Sequence, residues 1–256
     1  MAHLTFLLLL LWVGASLSAV TVSTVVDLQK RIYGGTDCNQ NERQYHVSLT
    51  LYADGSCSHC GGSLIRNQWI LTAAHCKSRP MFAVVGVHAG QRNVQRIEEN
   101  NIITHQHDDI MLVKLPNPTA GIPTVPYCPN INDDPTIGNN VQVAGHSTHI
   151  IDQQGFIVPD FPSNLKCATM DVVNCDNPFW NTFYQQNPYL PHVPQQNRLC
   201  LQRHGVDVRP GDSGGGVIHR NNLYGVIVAT GLNVCTCQTL SIRVCPYMTW
   251  INQNAV

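Results

Sequence analysis

A single hydroxyl stands in the run Gly211, Asp212, Ser213, Gly214, Gly215, surrounded by residue types that let a chain turn sharply. A backbone bent in this way can aim amide hydrogens at an oxyanion, so the chemistry it suggests is nucleophilic attack by Ser213. Serine is a weak nucleophile at its free pKa and needs a neighbouring base that a third group orients. His75 is a usable base, set in Thr72, Ala73, Ala74, His75, Cys76 just after an apolar run. Asp109 is a usable orienting acid, because the Ile110, Met111, Leu112 that follow it would bury its carboxylate. Its neighbour Asp108 is the competing carboxylate and reads as a solvated turn residue. A Gly-rich turn with one serine is by itself more often structural than catalytic; the three groups together point to acyl transfer.

Such groups need a rigid frame, and the sequence supplies short apolar or alternating runs. They are Tyr45 to Tyr52, Trp69 to Ala73, Met81 to Val87, Ile110 to Leu115, Val141 to Ala144, Leu165 to Val172, Gly215 to Ile218 and Leu223 to Ala229. Turn residues separate them at spacings that suit an all-β barrel or sandwich. A short helix is expected from about Cys245. The Pro-, Asn- and Asp-rich stretch from Leu115 to Pro135 reads as a crossing connection, which puts a boundary between two β units near residue 120. Asp176 to Gln196, rich in Asn, Gln, Pro and aromatics, reads as a surface loop.

At the other end, Leu4 to Val13 is almost wholly apolar and is followed by Gly14, Ala15, Ser16, Ser18 and Ala19. That pattern is a secretory signal peptide, too short to span a bilayer and ending in small residues near Ser18 or Ala19. No later segment reads as a membrane anchor. A formal charge of -1, with only 12% charged residues, gives no electrostatic reason to expect nucleic acid or an anionic membrane as partner. Eleven cysteines behind a signal peptide imply an oxidising compartment and a disulfide framework with one thiol over. Cys57 with Cys60, and Cys235 with Cys237, have spacings that metal sites also use, but no second pair of suitably spaced ligands accompanies them. Disulfides are the reading, with no metal and no cofactor.

With these residues in place, the chain from Ile32 onward resembles the chymotrypsin and trypsin family of serine proteases. The resemblance rests on Ile32, Tyr33, Gly34, Gly35 as a mature N-terminus, on Ala73 to Cys76, on Asp109 to Leu115, and on Gly211 to Gly215, in that order. It implies two Greek-key β-barrels packed side by side with a short C-terminal helix. Residues 1–19 would be signal peptide, 20–31 an activation propeptide, and 32–256 the peptidase, with barrels at about 32–120 and 121–244. By the same resemblance, Ser213 Oγ attacks the scissile carbonyl while His75 takes and returns a proton and Asp109 holds the imidazole. The amides of Gly211 and Ser213 would form the oxyanion hole, worth on the order of 3 kcal/mol per donor. Four disulfides are implied: Cys38 with Cys167, Cys60 with Cys76, Cys128 with Cys245, and Cys175 with Cys200, leaving Cys57, Cys235 and Cys237 unassigned. Cleavage after Arg31, which follows Lys30, would free Ile32 to pair with Asp212 and switch a zymogen on.

The sequence also departs from the family's pattern. Gly216 follows the serine motif where Pro is usual, and Val228, Ala229, Thr230 replace Ser-Trp-Gly in the segment that pairs with substrate. Asp207 stands where trypsins place the acid that pairs with a substrate Arg or Lys, but Arg209 replaces a pocket cysteine and Thr239 a pocket glycine. A β-branched Thr239 would narrow the pocket, and Arg209 or Arg243 could neutralise Asp207 internally. Acidic calcium ligands have no obvious counterparts around Val87 to Asn93. His105 and His107, just before Asp109, form a weak candidate for inhibitory zinc, with solvated histidines as the plainer reading. The expected partners are a protein or peptide substrate, an activating protease and protein inhibitors. Two other functions share the scaffold or the triad: a non-catalytic homologue that binds a partner, and a hydrolase of small esters. The intact triad favours the peptidase.

Overall fold

The computed structural model describes residues 32, 34–56, 58–88, 90–146, 149–151, 157–159, 164–175, 178–230 and 238–256. The expectations for residues 1–31, and for Cys57, Cys235 and Cys237, fall outside them.

Sixteen strands run β1 (Thr36–Asp37), β2 (His46–Thr50), β3 (Ser58–Arg66), β4 (Trp69–Thr72), β5 (Phe82–Val85), β6 (Asn93–Arg96), β7 (Ile102–Thr104) and β8 (Met111–Lys114), then β9 (Asn140–Gly145), β10 (His149–Ile151), β11 (Ile157–Pro159), β12 (Lys166–Val173), β13 (Arg198–Gln202), β14 (Gly216–His219), β15 (Asn222–Ala229) and β16 (Thr239–Arg243). One antiparallel sheet has the order β6-β5-β2-β3-β4-β8-β7. A second has the order β1-β12-β13-β16-β15-β14-β9, where pairing of β9 with β12 closes six of its strands into a ring, and β10 pairs with β11 in a separate two-stranded sheet. Closure removes the edges at which an open sheet would pair with other chains. The family's all-β, two-barrel architecture is therefore the observed one. The chain start is shared between halves, because β1 pairs with β12 of the second barrel.

Most expected runs became strands with ends shifted by a residue or two. β3 was not anticipated; its paired glycines, Gly61 and Gly62, weaken a strand by propensity, yet both are covered by neighbours. At Gly62 a Cβ would lie 2.6 Å from Ile70 Cγ2, so close strand packing and not backbone preference selects glycine. The expected surface loop at Asp176 to Gln196 also differs: helix α1 (Pro178–Gln186) occupies it and buries Trp180 and Tyr184. Spacing of i and i+4 puts these two rings on one face, where burial pays for ordering the turn. The expected C-terminal helix is α2 (Met248–Asn254), after a 3-10 turn at Cys245–Tyr247. It packs on the first barrel, where Arg66 reaches the Ala255 carbonyl and Trp69 Nε1 donates to Val256 O at 3.2 Å.

Among the described residues four disulfides brace this frame: Cys38–Cys167, Cys60–Cys76, Cys128–Cys245 and Cys175–Cys200, the pairs named above. The first bolts the segment after Ile32 to β12, and the last ties the α1 excursion to β13.

His46 gives the frame an acid sensitivity. Its side chain is buried beside Gly61, where a Cβ would stand 3.1 Å from His46 Cε1. Burial first, then the charges of His146 and His88, push its pKa down to about 3. In the unfolded chain the imidazole takes a proton near pH 6.5. Between that pH and about 3 the unfolded state therefore binds more protons, and stability falls as pH falls. The expected slope from this one group is up to about 1.4 kcal/mol per pH unit. Thermal unfolding between pH 6.5 and 4 should show a shallower slope in His46→Gln than in wild type; equal slopes would show that His46 contributes nothing to it.

Candidate active site

Register brings the proposed base and acid together. β4 pairs antiparallel with β8, and Thr72 lies opposite Met111, so residues just after Thr72 emerge beside those just before Met111. His75 follows in the 3-10 turn Ala74–Cys76, and Asp109 lies two residues before Met111. Asp109 is 2% exposed. Its Oδ2 accepts from His75 Nδ1 at 2.7 Å, and its Oδ1 accepts from the His75 main-chain N–H at 2.9 Å. Both carboxylate oxygens thus engage one residue. This fixes the ring plane and favours the tautomer with Nδ1 protonated, leaving Nε2 as the acceptor. The Asp109 N–H donates in turn to His192 O at 2.8 Å, a contact that sequence alone did not suggest.

The serine turn is held through its main chain. Gly211 and Gly214 have φ of 101° and 82°, the left-handed region where side chains are strained. Gly214 also has no room for a Cβ, which would lie 2.2 Å from Thr72 Oγ1 and 2.3 Å from Gly61 O. Gly214 N–H donates to Ile227 O at 2.7 Å, Gly215 N–H to Asp212 O at 3.0 Å, and Gly61 N–H to Ser213 O at 2.6 Å. The last bond joins the two barrels at Ser213. Among the described residues the N–H groups of Gly211 and Ser213 donate to no main-chain carbonyl, which leaves them available to a ligand oxygen. Ser213 Oγ donates to Val228 O at 3.3 Å. Ser213 O and His75 Nε2 both flank Cys76 Sγ, at 3.7 and 3.9 Å. In this structure the Ser213 hydroxyl makes its hydrogen bond to Val228 and not to His75.

Cys60, His75 and Cys76 also form the one close cluster of metal-type side chains among the described residues. The two sulfurs are joined to each other, so no thiolate is available and the cluster is no metal centre. His105 and His107 are not brought together with a third ligand there. His105 instead lies edge-on to Tyr247 and Trp250, and its Nδ1 accepts the Asp108 N–H at 3.2 Å. Asp108 is not the solvated turn residue expected: its side chain is 14% exposed and accepts from Tyr247 O–H at 2.7 Å. The burying partner comes from the far end of the chain, which is why local sequence missed it.

Of the pocket residues, Asp207 is buried and accepts from Thr230 Oγ1 at 3.0 Å. Thr239 is fully buried opposite Leu201, and its Oγ1 has no hydrogen-bond partner. Arg243 does not neutralise Asp207; its Nη1 pairs with Asp134 at 2.8 Å and its Nε donates to Arg198 O. Residues 231–237 lie outside the described residues. Ile32 is fully buried in the second barrel's core with Val141, Met170, Val208 and Val217. Asp212 is 1% exposed and sits against Gly145, where a Cβ would meet its Oδ1 at 2.0 Å; its Oδ2 accepts the Arg209 N–H at 2.8 Å.

The chain matches the family model described as Trypsin over residues 32–251. It is 31% identical over 258 residues to Serine protease 1 of Canis lupus familiaris, covering 93% of this chain and 96% of that one. It is 29% identical over 236 residues to Thrombin-like enzyme 1 of Trimeresurus albolabris, covering 86% of this chain and 85% of the relative. Among solved structures, neuropsin, described as a serine protease expressed in the limbic system of mouse brain, superposes with a TM-score of 0.67 at 23% identity. That match covers 87% of this chain and 99% of the neuropsin chain, and at this identity it speaks to the fold.

Proposed function

Because the chain belongs to the trypsin family of serine proteases, we propose that it is a secreted endopeptidase that cleaves peptide bonds through an acyl-enzyme, with His75, Asp109 and Ser213 as its triad. The observation that carries the reading is the double contact of Asp109 with His75, at 2.7 and 2.9 Å, beside a serine turn that the neighbouring barrel grips. In this mechanism His75 Nε2 takes the Ser213 proton as Oγ bonds to the carbonyl carbon, then gives it to the departing amine. Asp109 stays ionised and orients the imidazole, while the free amides of Gly211 and Ser213 receive the oxyanion. Water then repeats the sequence on the ester and restores Ser213. An organophosphonate probe, applied after cleavage by a trypsin-like activator, should label the peptide that carries Ser213. Labelling elsewhere, or none, overturns the assignment. All three residues of the proposed triad are present, which supports the peptidase over the non-catalytic alternative that the altered pocket suggests.

Specificity for Arg or Lys rests on Asp207. A buried substrate cation needs a carboxylate partner, and Asp207 is the acid at the expected place. Thr230, however, already donates to that carboxylate, and a side chain stands where the resemblance expects glycine. Thr230→Gly should therefore raise kcat/KM for Arg and Lys substrates relative to small apolar ones by on the order of tenfold to a hundredfold. A peptide library in which wild type and variant both prefer small or apolar residues before the cut would show that Asp207 does not set the specificity.

A further inference from the structure

Behind Asp109 lies a cleft of ≈ 480 Å³ between α1 and the segment leading into β13, lined by Asn181, Tyr184, His192, Gln195 and Arg198 among others. Arg198 is 5% exposed, yet none of its contacts is with a carboxylate. Its Nε donates to Val193 O at 3.1 Å and its Nη1 to Asn181 Oδ1 at 2.7 Å, and the guanidinium lies 5.6 Å from the Tyr184 ring centre. These are neutral acceptors and a ring quadrupole, which offset only part of the cost of burying a full charge. The Tyr184 hydroxyl is buried in the same wall with the Val193 main chain beside its oxygen, and among the described residues its proton has no acceptor. Among the described residues no carboxylate lines the cleft. Asp109, whose main-chain N–H meets His192 O, and its neighbour Asp108 are committed elsewhere, Asp109 to His75 and Asp108 to Tyr247.

We propose that this cleft is a carboxylate-binding site, with the Arg198 guanidinium as its cation and the Tyr184 O–H as a second donor. Its lining of amides and an imidazole suits a small planar anion that can take a guanidinium hydrogen bond. The carboxylate has two possible sources: a free organic acid, or an acidic side chain of a peptide lying across the site. The second source rests on the endopeptidase reading, and the first does not.

The test has two arms. In the first, sodium chloride is replaced by sodium acetate at fixed pH and ionic strength, and the unfolding midpoint is followed. A ligand that binds only the native state raises the midpoint in proportion to occupancy, so wild type should rise with acetate by several degrees more than Arg198→Met or Tyr184→Phe. In the second, Ser213→Ala protein, which cannot turn substrate over, is titrated with peptides that differ by one Glu or Gln. A preference for Glu of tenfold or more that disappears in Arg198→Met identifies the peptide source. An acetate response without that preference identifies a free acid. Tyr184→Phe removes one oxygen and keeps the ring, so it reads the site if Arg198→Met fails to fold. Wild type that shows neither response, or responses unchanged in Tyr184→Phe and in any folded Arg198→Met, overturns the proposal. The acetate arm is indifferent to catalysis, so failure of the site and failure of the peptidase assignment give different results.

Discussion

Replacing Ser213 by alanine should lower kcat for a peptide amide by on the order of a millionfold. The fold should persist, because the Ser213 side chain makes a single 3.3 Å contact while its turn is anchored by main-chain bonds to Gly61 and by Gly214. His75→Ala should cost about as much, and the double variant little more, since nucleophile and base act as one unit. Asp109→Asn should be milder, on the order of ten-thousandfold, because its principal effect is to present the wrong imidazole tautomer. The residual rate in each variant would come from the amides of Gly211 and Ser213 and from substrate binding. The measurement is steady-state kinetics on activated protein purified by a route that excludes other proteases, with circular dichroism as a check on folding. Amidase activity that survives Ser213→Ala undiminished would mean another group carries the chemistry.

That the three proposed catalytic residues could be picked out from sequence follows from where they sit. Each lies at the mouth of a strand, next to a run whose apolar character is plain, so its local environment is written into its neighbours. The register of β4 against β8 then delivers His75 and Asp109 to one another. What stayed hidden depends on contacts between distant segments. Asp108 is quenched by Tyr247 at 2.7 Å, across 139 residues, and no local pattern signals it. Trp180 and Tyr184 read as aromatics in a polar loop until helix α1 turns both inward. Arg198 lies outside every run read as a strand from sequence, and only burial under α1 makes it conspicuous. The proposed pocket occupies the middle ground: Asp207 is proposed for it from its spacing to Ser213, whereas the Thr230 hydroxyl on its carboxylate has no signal in the sequence.

A second large effect is expected at the chain's proposed activation point. Arg31→Gln should leave the precursor uncut by a trypsin-like activator and its peptidase rate lower than that of cleaved wild type by several orders of magnitude. The argument starts from Ile32, which is fully buried in the core of the second barrel. Cleavage after Arg31 would turn its nitrogen into an ammonium, and a buried cation is stable only with an anionic partner. Asp212 is the proposed partner: it is 1% exposed, it precedes the nucleophile directly, and Gly145 leaves it space that any larger residue would fill. Its carboxylate also accepts the Arg209 N–H, so a charge placed on Asp212 stiffens the turn that runs through Gly211 to Ser213. Removing one member of a buried pair typically costs about 3–5 kcal/mol, enough to shift the turn away from its productive form in most molecules. Asp212→Asn in the cleaved protein should therefore resemble uncleaved precursor, with low kcat and weak labelling by the organophosphonate probe. The Cys38–Cys167 bridge keeps the new terminus tethered near the core, so cleavage need not be followed by a slow search. An Arg31→Gln protein that stays intact and still shows the full rate would rule the switch out, whereas full rate in Asp212→Asn alone would leave cleavage in place and assign the ammonium a different partner.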